Sequence, residues 1–318
     1  MVDGVRKNLV AEVFDIICRG NSWIHSKTES KEETMSVVSM PEILAPAFHK
    51  RYGVGAFNIV NDLSMQAVLD AAEKAKSPVI VQVSVKTVKM MGAKLIQLMF
   101  QEMAERVSVP TTLHLDHCPD ISVIEECLEA GWNSVLFDAS LLSYEENLKE
   151  TKKVVALARR YGAAVEGELE AVRGVEDEVG AEEEGSIVPL DKAVHFILET
   201  GIDSFAPAIG TAHGMYKGEP KINFDRVTQI VEAQPIPIVL HGGTGLKVEV
   251  FRELIARGAA KVNISTQLKV TFADSFKTYL EKHPTEYNPL KLLAFVRENV
   301  MDMAMGFFRI FGSEGKAS

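Results

Sequence analysis

The sequence predicts an α/β fold of the (β/α)8 class, a TIM barrel with an N-terminal extension and extra C-terminal helices. Eight short runs of β-forming residues alternate with stretches of helical periodicity, which favours a parallel sheet. The strand ends recur roughly every 25–40 residues, the length of one β-α unit. Polar and ionisable residues lie at the C-terminal ends of these runs, where barrels of this class build their active sites. A doubly wound open sheet is the alternative fold.

The predicted elements follow one another regularly along the chain. The strands are Gly53–Asn58, Val79–Ser84, Thr111–Asp116, Ser134–Asp138, Ala163–Glu168, Ser204–Ile209, Ile236–His241 and Lys261–Ser265. The helices between them are Ser64–Lys76, Ala93–Glu105, Val123–Ala130, Glu145–Arg160, Asp191–Thr200, Asp225–Val231 and Val248–Arg257. Two further helical stretches, Thr266–Lys282 and Pro289–Phe311, come after the last strand, and the second must pack against the barrel or a partner chain.

Residues 1–34 are predicted to form an extension and residues 35–318 the barrel domain. The extension has helical spacing around Leu9–Cys18, and it resembles neither a secretory signal nor a typical transit peptide. Its last residues, 26–34, are polar and highly charged, which is typical of a linker. Ser39, followed three residues later by Glu42, is a helix-start signal that begins the domain.

Composition excludes several classes of protein. The 318 residues are 47% hydrophobic and 25% charged, as in an ordinary globular protein. The net charge of −10 and the scattered basic residues argue against a nucleic-acid partner, and no apolar run reaches the ~18–20 residues that span a bilayer. Cys18, Cys118 and Cys127 lack the spacing of a disulfide framework or a cysteine zinc site, so we expect a reducing, cytoplasmic compartment.

Three histidines stand at the ends of predicted strands. His117, His213 and His241 each follow an apolar run, and only closure of a barrel would bring them around one point. A single such histidine is most often a loop residue, but three together favour a zinc centre with an open coordination position. Asp116, beside His117, could be a metal ligand, an acid/base or a cap for the following turn.

Two loops suggest further chemistry. An acidic, glycine-containing loop follows the fifth strand, and Glu176 on it is either a shielded acid/base or part of a solvated surface. Glycines and hydroxyl groups after the seventh and eighth strands suggest a phosphate site. The residues of this predicted site are Gly214, Lys217, Gly242, Gly243, Thr244, Asn263, Ser265 and Thr266.

The lysines argue against Schiff-base chemistry, which needs a lysine at the mouth of the barrel. Lys261 is predicted to begin the last strand and therefore to lie at the opposite end, which leaves only Lys86. His114 is predicted to point toward the barrel interior in a packing role or in contact with a ligand residue.

The chain from about Met35 onward resembles the class II, zinc-dependent ketose-bisphosphate aldolases, the fructose- and tagatose-bisphosphate aldolase family. The resemblance is carried in order by motifs that span nearly the whole predicted domain. They are Tyr52–Asn58, His114–His117, Val135–Ser140, Val165–Leu169, Ile209–Gly214, His241–Gly245, Lys261–Ile264 and Phe311–Ser313.

The resemblance implies a role for each candidate residue. His117, His213 and His241 would hold Zn²⁺, Asp116 would exchange the proton of the C4 hydroxyl, and Glu176 would exchange the proton on dihydroxyacetone phosphate. The predicted phosphate site would bind that product, assisted by Asn58 and Ser84, with room for a monovalent cation nearby. Asp138 and Glu168 would take an alternative or second metal. A homo-oligomer, dimer or tetramer, is expected.

The implied reaction is the reversible cleavage of a ketose 1,6-bisphosphate to dihydroxyacetone phosphate and glyceraldehyde 3-phosphate, a step of carbohydrate metabolism and glycolysis. Glu170 and Arg173 stand where the family usually has glycine, which changes the flexibility and charge of the acidic loop. Leu290 and Ala294 depart from the family near its distal phosphate. Two alternatives therefore stay open: a phosphosugar without the distal phosphate, and a barrel that binds a sugar phosphate without turnover.

Overall fold

The structure is a computed structural model that describes residues 36–170, 187–214 and 220–317. It also describes the backbone of residues 174–176 and 179–181. The predicted extension 1–34 with its helical pattern, Lys217 and the side chain of Glu176 lie outside the described residues.

Eight parallel strands close into a barrel, which confirms the predicted fold class. In chain order, the strands of the barrel and of a separate hairpin, β6 and β7, are β1 (Val54–Asn58), β2 (Val79–Ser84), β3 (Thr111–Cys118), β4 (Ser134–Asp138), β5 (Ala164–Glu168), β6 (Gly174–Glu176), β7 (Val179–Ala181), β8 (Ser204–Ala206), β9 (Ile238–Leu240) and β10 (Ala259–Ile264). Around the barrel they are ordered β1-β10-β9-β8-β5-β4-β3-β2, whereas β6 and β7 pair with each other in an antiparallel hairpin.

Helices connect the strands on the outside of the barrel. They are α1 (Met40–Lys50), α2 (Asp62–Ala75), α3 (Val85–Met91), α4 (Ala93–Ala104), α5 (Ile121–Glu129), α6 (Tyr144–Arg160), α7 (Leu190–Thr200), α8 (Phe224–Ala233), α9 (Val248–Arg257), α10 (Thr266–Lys282) and α11 (Pro289–Phe311). The start of α1 is as predicted, because the Ser39 and Glu42 side chains each cap the backbone of the other residue. Helix α3 was not predicted, since its seven residues are too few to show a helical period.

The strands differ from the predicted ones mainly at their ends. Strand β3 continues to Cys118, so His117 lies within it, at a left-handed φ of 42°. Strands β8 and β9 are shorter than predicted, and Ile209 and His241 lie in the loops that follow them. Strand β10 begins at Ala259, two residues earlier than predicted.

Side chains alternate along the strands between the apolar layer under the helices and the barrel interior. Leu113 and Leu115 of β3 pack in the apolar layer. His114, between them, faces inward, where its Nδ1 lies 2.7 Å from the Ser134 Oγ of the neighbouring strand. The interior of the barrel is therefore polar well below its rim, because several strands direct ionisable side chains inward.

The C-terminal helix α11 packs against the barrel, one of the two predicted alternatives. Phe308 meets Phe57 of β1 edge to face with ring centroids 5.6 Å apart, and the Gly53 N–H donates to the Phe311 carbonyl over 2.9 Å. Arg297 of α11 forms an ion pair with Asp70 of α2. Among the described residues, no helix has the length and apolar character needed to cross a membrane.

Candidate active site and metal centre

The three predicted histidines meet at the C-terminal rim of the barrel. His117, His213 and His241 each offer a ring nitrogen, and these atoms all lie within 4.8 Å of one another. Nε2 of His117 is 2.9 Å from Nδ1 of His241, and the His213 ring is 5.0 Å from the His117 ring between centroids. The three rings surround one point although they come from three different strand ends.

A second group of potential ligands shares His117. Nδ1 of this residue lies 2.8 Å from Asp138 Oδ2 and 3.8 Å from Glu168 Oε2, and the three side chains could hold a metal ion together. The left-handed backbone of His117 is unusual for a residue other than glycine. Nε2 of His117 faces His241, and Nδ1 faces these carboxylates.

The electrostatics of the histidine cluster suit a divalent cation. Burial holds the pKa of His213 well below its usual value, so this ring is neutral and offers a lone pair. Its Nδ1 is buried and has no hydrogen-bond partner among the described residues. Burial also opposes a charge on His117, but Asp116, Asp138 and Glu168 outweigh it and raise the pKa of His117 well above its usual value. A cation at this point would satisfy the His213 nitrogen and displace the His117 proton.

Asp116 is held at the rim by two amide side chains. Its Oδ2 accepts a 2.8 Å hydrogen bond from Asn58 Nδ2, and Asn58 Oδ1 in turn accepts a 2.7 Å bond from Gln82 Nε2. The other oxygen, Oδ1, is buried without a partner in the part of the chain that the structure describes. Burial would raise the pKa of Asp116, but the positive charges of His117 and Lys261 lower it overall, so the carboxylate is ionised and has one oxygen available.

The position predicted for Lys261 was wrong. It is the third residue of β10, not the first, and it lies completely buried inside the barrel rather than at the far end. Its Nζ is 2.8 Å from Glu166 Oε2 and donates over 2.8 Å to Asn263 Oδ1. The prediction failed because the strand begins two residues earlier, which changes the depth of every later residue.

Glu166, Lys261 and Gln82 form a polar layer under the rim that the sequence analysis missed. Each precedes a predicted site residue by two positions: Glu166 precedes Glu168, Lys261 precedes Asn263, and Gln82 precedes Ser84. Since side chains two positions apart share a face of a strand, this spacing was the signal available in the sequence.

The predicted phosphate residues surround the ends of β9 and β10. Gly242 has a positive φ of 67°, and a Cβ there would collide with the Ala212 carbonyl, so only glycine fits. Ser265 precedes the first turn of α10, where Thr266 is half-buried, and the Ser265 Oγ is buried with no partner among the described residues. The Ser265 side chain does not cap this helix within the described residues, and the N-terminus of a helix is suited to an anion. Of the other described members of the predicted site, Gly243 and Thr244 follow β9 and Asn263 lies in β10, whereas Gly214 lies in the loop after β8.

The sequence position of Glu170 suggested that it adds charge to the acidic loop, but its side chain is not at the surface. It is buried and forms an ion pair with Arg226 at the start of α8. Its Oε1 also accepts from the Val188 N–H over 3.3 Å, and Arg226 Nη1 donates to the Val188 carbonyl over 3.1 Å. The pair therefore links the two ends of the segment 171–186.

The protein is similar in structure to a known aldolase. The crystal structure of the YdjI aldolase from Escherichia coli K12 superposes with a TM-score of 0.78 and 32% sequence identity, over 89% of this chain and 100% of that one. The fold, the histidine cluster and this likeness define an aldolase, a carbon–carbon lyase.

The family follows from the sequence matches. The model of the class II fructose-bisphosphate aldolases matches residues 38–316. The fructose-bisphosphate aldolase of Geobacillus stearothermophilus is 39% identical over 89% of this chain and 100% of its own length. The sulfofructosephosphate aldolase of Alkalicoccus urumqiensis is 36% identical over 89% of this chain and 99% of its own. The chain belongs to the class II fructose-bisphosphate aldolase family.

Proposed function

We propose that the protein is a zinc-dependent aldolase that reversibly cleaves a ketose 1,6-bisphosphate to dihydroxyacetone phosphate and glyceraldehyde 3-phosphate. The observation that carries this proposal is the meeting of three histidines beside an ionised carboxylate with an available oxygen. Membership of an aldolase family supports a lyase over the alternative of a sugar-phosphate barrel without turnover.

In this proposal His117, His213 and His241 hold the zinc ion. A zinc ion held by these residues would supply a Lewis acid for the substrate carbonyl and for the negative charge that develops when the C3–C4 bond breaks. The neutral His213 ring with its unpartnered Nδ1 supports this assignment. Asp138 and Glu168 are proposed for an alternative or second metal, since both lie near Nδ1 of His117.

Asp116 is proposed as the group that removes the proton from the C4 hydroxyl. Its free Oδ1 can accept that proton while Asn58, fixed by Gln82, holds Oδ2 in place. Glu176 is proposed to return a proton to the dihydroxyacetone-phosphate carbon. In condensation, the two carboxyl groups would perform the reverse transfers.

The phosphate of dihydroxyacetone phosphate is proposed to bind at the ends of β9 and β10. Backbone N–H groups and hydroxyls would contact it there, and Asn58 and Ser84 would contact the sugar. The full set is Gly214, Lys217, Gly242, Gly243, Thr244, Asn263, Ser265 and Thr266, with a monovalent cation near the two glycine loops. We further propose a cytoplasmic homo-oligomer, dimer or tetramer, that acts in glycolysis.

A second candidate substrate is a ketose phosphate whose far end lacks a phosphate. A relative at 36% identity is named sulfofructosephosphate aldolase, and Leu290 and Ala294 remove polar groups from the region that the family resemblance links to the distal phosphate. The kcat/KM values for fructose 1,6-bisphosphate, tagatose 1,6-bisphosphate, fructose 1-phosphate and sulfofructose 1-phosphate decide between the candidates. A site that pairs the distal phosphate should lose at least about 100-fold in kcat/KM without it.

Metal analysis of the purified protein tests the mechanism most directly. We expect about one tightly held zinc per chain in the three-histidine geometry, loss of cleavage activity with EDTA, and its return on adding Zn²⁺. His213→Ala should abolish both metal binding and activity, whereas His49→Ala, at an exposed histidine on α1, should leave both unchanged. Full activity of the chelated enzyme would refute a metal-dependent mechanism.

A further inference from the structure

A buried ion pair inside the barrel contacts the histidine cluster from below. Glu166 of β5 and Lys261 of β10 are 1% and 0% exposed, and their charged atoms are 2.8 Å apart. Each partner also contacts one residue of the rim above: Glu166 Oε1 lies 2.8 Å from His241 Nε2, and Lys261 Nζ lies 2.8 Å from Asn263 Oδ1. The pair is therefore connected to both the proposed metal site and the proposed substrate site.

The contact with Glu166 determines which nitrogen of His241 carries the proton. A carboxylate can only accept a hydrogen bond, so His241 Nε2 must donate to it. The lone pair of the neutral ring is then on Nδ1, the atom that faces His117. A carboxylate that orients a histidine in this way is a common support for a metal ligand.

Lys261 holds the Glu166 carboxylate in place for this contact. Its Nζ lies 2.8 Å from Glu166 Oε2, whereas His241 contacts the other oxygen, Oε1, and both members of the ion pair are buried. Removal of Lys261 would leave the buried carboxylate without the ammonium group that fixes its position. His241 would then lose the support that directs Nδ1 toward the metal site.

The second contact of Lys261 fixes the amide of Asn263. Because its Oδ1 accepts from the ammonium group, the Asn263 amide is oriented with its oxygen toward Lys261 and its two N–H donors directed elsewhere. Donors are what a phosphate or hydroxyl oxygen of a substrate requires. Lys261 thus supports both a proposed metal ligand, His241, and a proposed substrate contact, Asn263.

We propose that Lys261 is a positioning residue of the active site, which orients His241 through Glu166 and Asn263 directly. The inference rests on the proposed function, in which His241 binds the metal and Asn263 the substrate. It assigns the lysine no contact with the substrate and no part in bond cleavage.

The test compares three variants of the zinc-loaded enzyme: Lys261→Met, Glu166→Gln and the double variant. Retention of Zn²⁺ is measured by competition with the chromogenic chelator 4-(2-pyridylazo)resorcinol, without substrate. We expect each single variant to bind zinc about 10–100-fold more weakly, the usual effect of losing the support of a metal ligand. The double variant should be no weaker than the worse single variant, since the two changes remove one interaction.

Kinetics separate the two contacts of Lys261. We expect Lys261→Met to raise KM for the phosphosugar when zinc is saturating, because Asn263 is no longer held. Glu166→Gln should leave KM within about two-fold, because the contact between Lys261 and Asn263 remains. Ser77→Ala is the control, since Ser77 is also buried and its hydroxyl contacts Ser313 rather than the ion pair or His114. It should change neither zinc retention nor KM.

Wild-type zinc retention by a folded Lys261→Met variant would overturn the inference, as would losses that multiply in the double variant. If Lys261→Met does not fold, the double variant carries the test, because it leaves no unpaired charge inside the barrel. The double variant must then fold and bind zinc more weakly than the wild type. A double variant that does not fold, or that retains zinc as the wild type does, refutes the role of the pair. If the wild-type protein itself holds no stoichiometric zinc, the proposed function fails instead.

Discussion

Replacement of Arg226 by methionine should destabilise the protein in a strongly pH-dependent way. The change removes the only charged partner that the structure describes for the buried carboxylate of Glu170. Burial already raises the pKa of Glu170, with Arg226 opposing that shift. Without the guanidinium group, the carboxyl group will fold in its neutral form, because the neutral form costs less than an unpaired buried charge.

The size of the effect follows from the cost of that protonation. An unfolded glutamate has its ordinary pKa of 4.5, so neutralising it at pH 7 costs about 3 kcal/mol at about 1.4 kcal/mol per pH unit. At pH 5 the same step costs only about 1 kcal/mol. The pKa of Glu170 in the folded variant is higher than in the unfolded chain. The folded state therefore loses stability as the pH rises above the pKa of the unfolded chain. Because the pKa of Glu170 is already raised in the wild type, Arg226→Met should lower the free energy of unfolding by at most about 3 kcal/mol at pH 7 and at most about 1 kcal/mol at pH 5.

Urea unfolding followed by circular dichroism at both pH values measures this difference against the wild-type protein. The double variant Glu170→Gln/Arg226→Met has no carboxyl group at position 170. Its loss of unfolding free energy should therefore be the same at both pH values. Arg257→Met is the matched control, because Arg257 pairs with Glu253 and Asp225 at the surface, where ion pairs contribute little. An equal loss at pH 5 and pH 7 for Arg226→Met would refute the reasoning.

Two further predictions concern the barrel interior and the glycine loops. Burial, followed by the charge of Lys261, lowers the pKa of His114 to about 3, so the folded protein resists a proton that the unfolded chain binds below about pH 6.5. Between pH 7 and pH 5 the metal-free wild type should thus lose about 2 kcal/mol more of unfolding free energy than His114→Asn, and parallel urea-titration curves would contradict this. Gly242→Ala should reduce kcat/KM at least about 10-fold more than Gly214→Ala. Both glycines have positive φ, but a Cβ at Gly242 collides with the backbone of Ala212, whereas a Cβ at Gly214 meets no atom of the described residues within 4 Å. Equal losses of kcat/KM in the two variants would contradict this prediction, because the loop would then have moved away from the new Cβ without loss of activity.

Much of the fold could be predicted because it depends on local patterns. The alternation of strand and helix, the cap formed by Ser39 and Glu42, and the polar residues after each strand are all visible along the chain. The elements that were predicted wrongly are a short helix and the end of a strand. Helix α3 has too few residues to show a period, and the start of β10 was misplaced by two residues, which put Lys261 at the wrong depth.

The rim of the candidate site was predicted better than its interior. His117, His213 and His241 stand out because they interrupt apolar runs, and the structure brings their rings together. Glu166 and Lys261 received no role, because an isolated charge in a strand does not reveal which residue will face it across the barrel. Glu170 likewise suggested a charged loop until its partner on α8 was known.

The sequence by itself determined the order of elements, the closure of a barrel and the identity of the groups gathered at one end. These follow from periodicity and from the rule that parallel strands present their C-terminal ends on one face. Only the tertiary structure decided which groups pair: Asn58 with Asp116, 58 positions apart, His117 with His241, 124 positions apart, and Arg226 with Glu170, 56 positions apart. Such pairs depend on strand register and depth inside the barrel. These are set by the packing of the whole sheet rather than by any local stretch of chain.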